Sequence, residues 1–190
     1  HLVEEIHASS KEIRVRDLMG GVTRTEHYDK LIIATGSTPK KLALEGVESR
    51  NVFTVKALDE AYAMKSYLDE EKPRRAVIIG GGFIGLEMAD AFVRREIEVT
   101  MLHNAAHPMS KLEEEGRKIV NEEIVKHGVL FVPSTKVEWL GVGAKGNVVA
   151  VGTSAGTVET DIVVVAIGVV PNASLAETAG IQRGNFGGIS

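Results

Sequence analysis

Residues 76–85 read AVIIGGGFIG. A short apolar run ends in a glycine-rich turn, and the turn opens directly into the amphipathic stretch 83–95. Gly80, Gly82 and Gly85 supply the G-x-G-x-x-G spacing. Each glycine has a mechanical task. The first allows a tight strand-to-helix turn, the second lets the backbone approach a pyrophosphate, and the third lets the helix pack against the strand. Phosphates there meet the free N–H groups and positive dipole end of a helix N-terminus. The spacing alone is a weak signal. Here it follows an apolar strand, precedes a helix and returns to a second strand at 98–102, and that context points to a dinucleotide site. Ile84, Met88, Ala91 and Phe92 form the expected sheet-facing stripe of the helix.

Composition bounds the rest. The chain has 190 residues, 44% of them hydrophobic, enough for a core and against global disorder. A net charge of -4 gives no electrostatic case for nucleic acid or an acidic membrane. The longest apolar runs, such as 162–167, fall far short of the roughly 20 residues that span a bilayer. With no cysteine, these residues carry no disulfide, thiolate metal site or thiol chemistry of their own. The reading is a cytoplasmic α/β protein. No signal peptide is visible and position 1 is His, so the chain is expected to be a piece of a longer protein.

Short strands are predicted at 2–8 and 13–18, with a turn at Met19-Gly20-Gly21 and a buried strand at 30–34. This meander needs another layer to cover its apolar face. Residues 35–50 read as a connector broken by Gly36, Pro39 and Gly46. A helix follows, with Thr54 as its expected cap, Leu58, Ala61, Tyr62 and Leu68 on one side, and Pro73 at its end. After the strand–helix–strand core come a helix at 112–126 and a strand at 129–132. Short β segments at 136–140, 147–152 and 157–159 read as an antiparallel excursion. The apolar run 162–167 returns to the sheet as a buried strand. Residues 168–172 read as a loop and 173–179 as a short helix.

Several side chains could serve the nucleotide. An NAD-preferring site carries Asp or Glu at the end of the second strand. His103 stands there instead. It carries no carboxylate to repel a 2′-phosphate, and a protonated imidazole would accept one. The plain alternative is packing against adenosine. NADPH or dual use is therefore placed ahead of strict NADH use. Glu87 either complements the helix dipole or bonds the nicotinamide end of the ligand. Phe83 is either a core residue or a mobile aromatic lid. His103 and His107 flank a strand end and the Pro108 turn, so no metal site is expected from them. Trp139 reads as a packing residue.

Three segments together resemble one family: YDKLIIATGSTP at 28–39, AVIIGGGFIGLEMADAF at 76–92, and DIVVVAIGVVPNASLAETAGI at 161–181. In order and spacing they are similar to the FAD- and NAD(P)H-dependent pyridine nucleotide-disulphide oxidoreductases, most of all the branch of coenzyme A disulphide reductases, NADH oxidases and NADH peroxidases. The resemblance covers essentially the whole chain. It implies a Rossmann-like, doubly wound parallel sheet carrying the antiparallel excursion, plus remnants of a flanking FAD domain. By this likeness residues 1–48 are an FAD-domain remnant, 49–168 the NAD(P)H-binding domain, and 169–190 the return segment. Ala34-Thr35-Gly36 and residues 166–172 are then the two crossings between domains.

The likeness also assigns roles. Thr35 and Gly36 lie on the FAD side. Gly168 lies near the nicotinamide end of NAD(P)H, Phe83 is the aromatic lid, Ile84 packs on nicotinamide, Glu87 bonds the carboxamide, and Val137 packs on adenine. The first FAD motif and the redox cysteine are expected upstream of His1, and the second FAD motif and a homodimerisation domain beyond Ser190. The implied activity passes hydride from NAD(P)H to FAD and on to a disulphide, a persulphide or oxygen. No catalytic residue is expected within this chain, whose small-molecule or thiol/disulphide substrate would be met through other parts of the protein. Two alternatives remain: an FAD-dependent reductase of a rubredoxin- or ferredoxin-like carrier, and a non-catalytic redox-sensing nucleotide module.

Overall fold

The computed structural model describes residues 1–189, in two compact units: His1–Thr38 with Val169 onward, and Pro39–Gly168. In the first unit, β1 (Leu2–His7), β2 (Glu12–Arg16) and β3 (Thr23–His27) form an antiparallel meander. Ile6 and Val15 are its buried residues. The third strand was not expected at Thr23–His27. That run is wholly polar and every residue in it is exposed, so it has no apolar alternation to reveal it. The buried strand expected at 30–34 does not form, and Ile32 is 90% exposed. No strand among the described residues lies beside it to pair its backbone. The connector instead carries the short strand β4 (Ser37–Pro39).

The second unit is built on a five-stranded parallel sheet. Its strands are β5 (Val52–Phe53), β6 (Arg75–Ile79), β7 (Glu98–Leu102), β8 (Leu130–Val132) and, after the excursion, β12 (Ile162–Val165). Their spatial order is β5-β12-β6-β7-β8. Between them run α1 (Leu58–Glu71), α2 (Phe83–Val93) and α3 (Glu114–Lys126). The alternation along β6 explains the layering, because successive side chains point to opposite faces. Ala76 and Ile78 join a core with Met64 and Tyr67 of α1, Ala89 and Phe92 of α2, and Ile124 of α3. Val77 and Ile79 face the other way, into a core with Leu140, Val148 and Val151. Those last three belong to the excursion β9 (Val137–Val142), β10 (Val148–Thr153) and β11 (Gly156–Glu159), an antiparallel sheet. Helices cover one face and the excursion covers the other. Strands buried on both faces need unbroken apolar runs, which is why β12 reads IVVV.

The helix stripes match expectation in part, since Leu68 of α1 and Met88 and Phe92 of α2 pack on the core. In α1, Met64 and Tyr67 are buried, whereas Leu58, Ala61 and Tyr62 are exposed. The sheet is met one turn later than expected, where Tyr67 sets its ring edge-on to Phe53 and donates its hydroxyl to the Asp161 carbonyl at 3.0 Å. The helix starts at Leu58, and the Glu60 carboxylate accepts from the N–H groups of Lys56 and Ala57 and from the Thr54 hydroxyl. Thr54 therefore supports the cap through Glu60. In α2, Gly85, Ala89 and Phe92 face inward and Ala91 is exposed. The small residues Gly85 and Ala89 bring the helix axis close to the sheet. Asn51 is the buried polar tie between the two sheets. Its amide donates to the carbonyls of Val148 (2.7 Å) and Asp161 (3.0 Å) and accepts the Val148 N–H at 2.9 Å. On the outer face of the excursion, the Trp139 indole lies flat on Gly152, where an added Cβ would fall 1.8 Å from its ring.

The chain returns to the first unit through β13 (Val169–Pro171), paired with β4, and the short helix α4 (Ser174–Thr178). The expected loop at 168–172 therefore contains a short strand.

Candidate functional site

Parallel pairing aligns the carboxyl ends of the strands. Val165 pairs with Ile79, Ile79 with Leu102, and Leu102 with Val132. Whatever follows each of these residues emerges at the same sheet edge, where ligands of open α/β sheets bind. The glycine turn follows β6, His103 follows β7, and Ala166 to Gly168 follow β12.

The three glycines of the turn differ in their surroundings. Gly80 has a φ of 115°, outside the range comfortable for L side chains, and its added Cβ would lie 2.3 Å from the Ala166 carbonyl oxygen. At Gly85 the Cβ would lie 2.0 Å from the Gly80 carbonyl oxygen. At Gly82, the N-cap of α2, a Cβ would meet nothing within 4 Å. Two glycines are closed by the protein's own backbone, and the one between them faces open space. The first turn of α2 carries no acidic residue to compete with an anion, and its first N–H groups have no intrahelical acceptor.

The segment after β7 is stitched to this turn. Gly80 donates its N–H to the Leu102 carbonyl at 2.8 Å, and Gly81 donates its N–H to Nδ1 of His103 at 3.1 Å. The carbonyl of Gly81 accepts the Met109 N–H at 2.8 Å. An Nδ1 that accepts carries no proton, so the imidazole is the neutral Nε2–H tautomer. Burial pushes its pKa below the ordinary histidine range, with the His107 main-chain carbonyl working against it. The protonated, phosphate-accepting His103 is thus disfavoured in this geometry.

Phe83 is 73% exposed, so it is not a core residue. Ile84 is half-buried. Glu87 is exposed and stands in the second turn of α2, one residue beyond the first turn where it was expected. Val137 opens β9, half-buried against the excursion core, and Thr135 beside it donates its N–H to the His103 carbonyl at 2.8 Å. Gly168 has a φ of 101° with open space where a Cβ would be, and its carbonyl accepts the Lys40 N–H at 2.9 Å. Gly80, Gly82, Gly85, Phe83, Ile84, His103 and Gly168 are thus gathered at one sheet edge.

Thr35 and Gly36 belong to the first unit. There Asn172 binds both: its side-chain amide donates to the Thr35 carbonyl at 3.0 Å and its N–H to the Gly36 carbonyl at 2.9 Å. Neither Asn172 nor the central Gly81 was singled out from the sequence. The signal for the first is its place at the end of the 166–172 crossing, directly after Pro171. The second is hidden because its engaged groups are main chain.

A family model described as pyridine nucleotide-disulphide oxidoreductase matches residues 1–190. An NAD(P)H sulfur oxidoreductase (CoA-dependent) from Pyrococcus abyssi is 33% identical over 187 residues, which are 98% of this chain and 41% of that protein. An NAD-dependent persulfide reductase from A. fulgidus superposes with a TM-score of 0.88 at 34% identity, over 98% of this chain and 34% of that one. The water-forming NADH oxidase of Lactobacillus brevis, solved bound to NADH, gives a TM-score of 0.85 at 28% identity, over 98% of this chain and 40% of that one. The chain spans well under half of each of these proteins.

Proposed function

Because the chain belongs to the pyridine nucleotide-disulphide oxidoreductase family, we propose that it is the NAD(P)H-binding portion of an FAD-dependent oxidoreductase. In that reading electrons pass from reduced nicotinamide through flavin to a disulphide, a persulphide or oxygen. The observation that carries the proposal is the open backbone at Gly82, framed by Gly80 and Gly85, which the fold itself closes.

The residues divide the work by position. The Gly82 main chain and the first N–H groups of α2 hold the pyrophosphate. Ile84 and Gly168 line the nicotinamide end, and Glu87 accepts from the carboxamide. Phe83, exposed at the mouth, acts as the lid that excludes water. Val137 packs on adenine. Thr35 and Gly36 serve the flavin side. The nucleotide supplies the hydride, and the chain orients it. A neutral His103 presents neither a carboxylate nor a cation to the ribose, which supports use of both NADH and NADPH. Residues 1–38 and 169–190 are read as parts of the FAD domain and 39–168 as the NAD(P)H domain, because Leu42, Leu44 and Val47, before the boundary expected at 48/49, pack on the core of the second unit. The intact protein is read as a cytoplasmic homodimer acting on a small thiol or disulphide substrate.

Titration of the protein with NADH and NADPH tests the reading. Both are expected to bind, with affinities within tenfold of each other, about 1.4 kcal/mol. Failure of both to bind at millimolar concentration would overturn the site. A flavin-free intact protein that also takes up no added FAD would overturn the enzyme reading.

A further inference from the structure

Gly81 is the one residue of the turn whose two main-chain groups are both taken by the segment following β7. Its N–H goes to Nδ1 of His103 and its carbonyl receives the Met109 N–H. Gly81 is buried, and an added Cβ would sit 3.4 Å from each of His103 Cγ, Met101 Sδ and Phe131 Cε2. The imidazole in turn packs beside the Phe131 ring, with centroids 6.1 Å apart. Met109 reaches the Gly81 carbonyl from a left-handed backbone, with a φ of 49°, while buried. Backbone strain of that kind persists where the surrounding structure over-determines it.

Of the two ring nitrogens, Nδ1 is committed to the loop, and Nε2 is buried with no hydrogen-bond partner among the described residues. A side chain that reads the ribose directs its polar atom outward to the ligand. The Nδ1 of His103 is directed to the loop, one residue before the glycine that faces open space. We infer that His103 is a positioning residue: its neutral imidazole holds the Gly81 N–H and thereby fixes the direction of the Gly82 main chain toward a pyrophosphate. The inference rests on the nucleotide-site reading above. It predicts that the ring influences NADH and NADPH equally, because both carry the same pyrophosphate.

Two substitutions separate the possibilities. In His103→Asn the side-chain oxygen can replace Nδ1 as acceptor, whereas His103→Ala removes the acceptor. Affinities for NADH and NADPH are measured on the intact protein and both variants, beside their unfolding midpoints. His103→Ala is expected to weaken both nucleotides about tenfold and alike, and His103→Asn to bind within about threefold of the parent. Unchanged binding by His103→Ala, selective loss of NADPH, or His103→Asn as weak as His103→Ala would each overturn the inference. Should His103→Ala fail to fold, His103→Asn and the ring nitrogens of the unaltered protein decide. Nitrogen NMR at neutral pH is expected to show the Nε2–H tautomer, and an imidazolium or Nδ1–H form sinks the proposal. If the parent binds neither nucleotide, the site reading falls, and this inference with it. If the parent binds and only the variants misbehave, the site reading stands.

Discussion

Asn172 and Thr35 hold each other from both sides. The Asn172 amide donates to the Thr35 carbonyl at 3.0 Å, while the Thr35 hydroxyl donates to the Asn172 carbonyl. The Asn172 side-chain oxygen also accepts from the Thr38 hydroxyl at 2.8 Å. One residue thus bridges two chain segments that are far apart in sequence. Asn172→Ala should cost about 2 kcal/mol, since several groups lose partners together. Exchange of the amide at position 172, whose N–H donates to the Gly36 carbonyl, should quicken in the variant. Unaltered exchange would show that the bridge does not hold these segments.

Asn51 is 1% exposed, and its amide makes three hydrogen bonds, two to Val148 of the excursion and one to the Asp161 carbonyl beside β12. Asn51→Ala strands the Val148 N–H and carbonyl in a dry interior. The expected loss is about 3 kcal/mol in denaturant unfolding. A loss below about 0.5 kcal/mol would mean that the excursion relaxes freely over the parallel sheet.

The glycines of the turn should separate stability from binding. Gly80→Ala and Gly85→Ala place a Cβ against backbone oxygen and should destabilise by about 3 kcal/mol. Gly82→Ala meets nothing in the protein, and its φ of -92° suits alanine, so its cost stays within about 1 kcal/mol. Its nucleotide affinity should nevertheless fall at least tenfold. Thermal unfolding and NADH titration of the three variants check both halves.

Phe83→Ala should leave the unfolding midpoint within a degree or so of the parent, about the scale of a surface change. On the proposed lid role, its effect should appear in turnover of the intact protein. Loss of stability in this variant would return Phe83 to the core.

Asp161 gives a pH dependence. Burial pushes its carboxyl up, but the Arg75 guanidinium and the N–H groups of Arg74 and Arg75 outweigh it and hold the pKa below the usual carboxylate range. The unfolded chain therefore binds this proton more readily than the folded one. The contribution is fully present above the unfolded value of about 3.9 and is lost as pH falls through the lower folded value. Asp161→Asn should flatten the acid limb of stability against pH. An unchanged limb would show that the carboxylate is not linked to folding.

Legibility in the sequence followed the range of the forces involved. The unit β6–α2–β7 was readable because period, turn chemistry and glycine spacing agree within a few dozen residues. The strand at β12 was readable because burial on both faces leaves an unbroken apolar run. The stripes of α1 and α2 are legible at Leu68, Met88 and Phe92 but not at Met64, Tyr67, Gly85 and Ala89, because their rotation depends on Tyr67 meeting Asp161 and on Gly85 meeting Gly80, pairings absent from periodicity. Residues 30–34 look like a core strand by composition, yet apolar character forms no strand without neighbours. The site was half legible. Glycines announce themselves, but the partner of His103 is a main-chain N–H with no letter of its own. The residue type suggested a cation, and the hydrogen bond makes it a neutral acceptor.

The indole resting on Gly152 gives the protein a built-in optical probe. Trp139 is the one tryptophan among these 190 residues, 45% exposed, and it belongs to the same unit as the glycine turn. Reduced nicotinamide absorbs in the region where indole emits. Quenching of Trp139 by energy transfer therefore follows occupancy directly, with no label attached. A side chain larger than hydrogen at position 152 would lift the ring from its seat and change the colour of its emission, which calibrates the probe against the sheet that carries it.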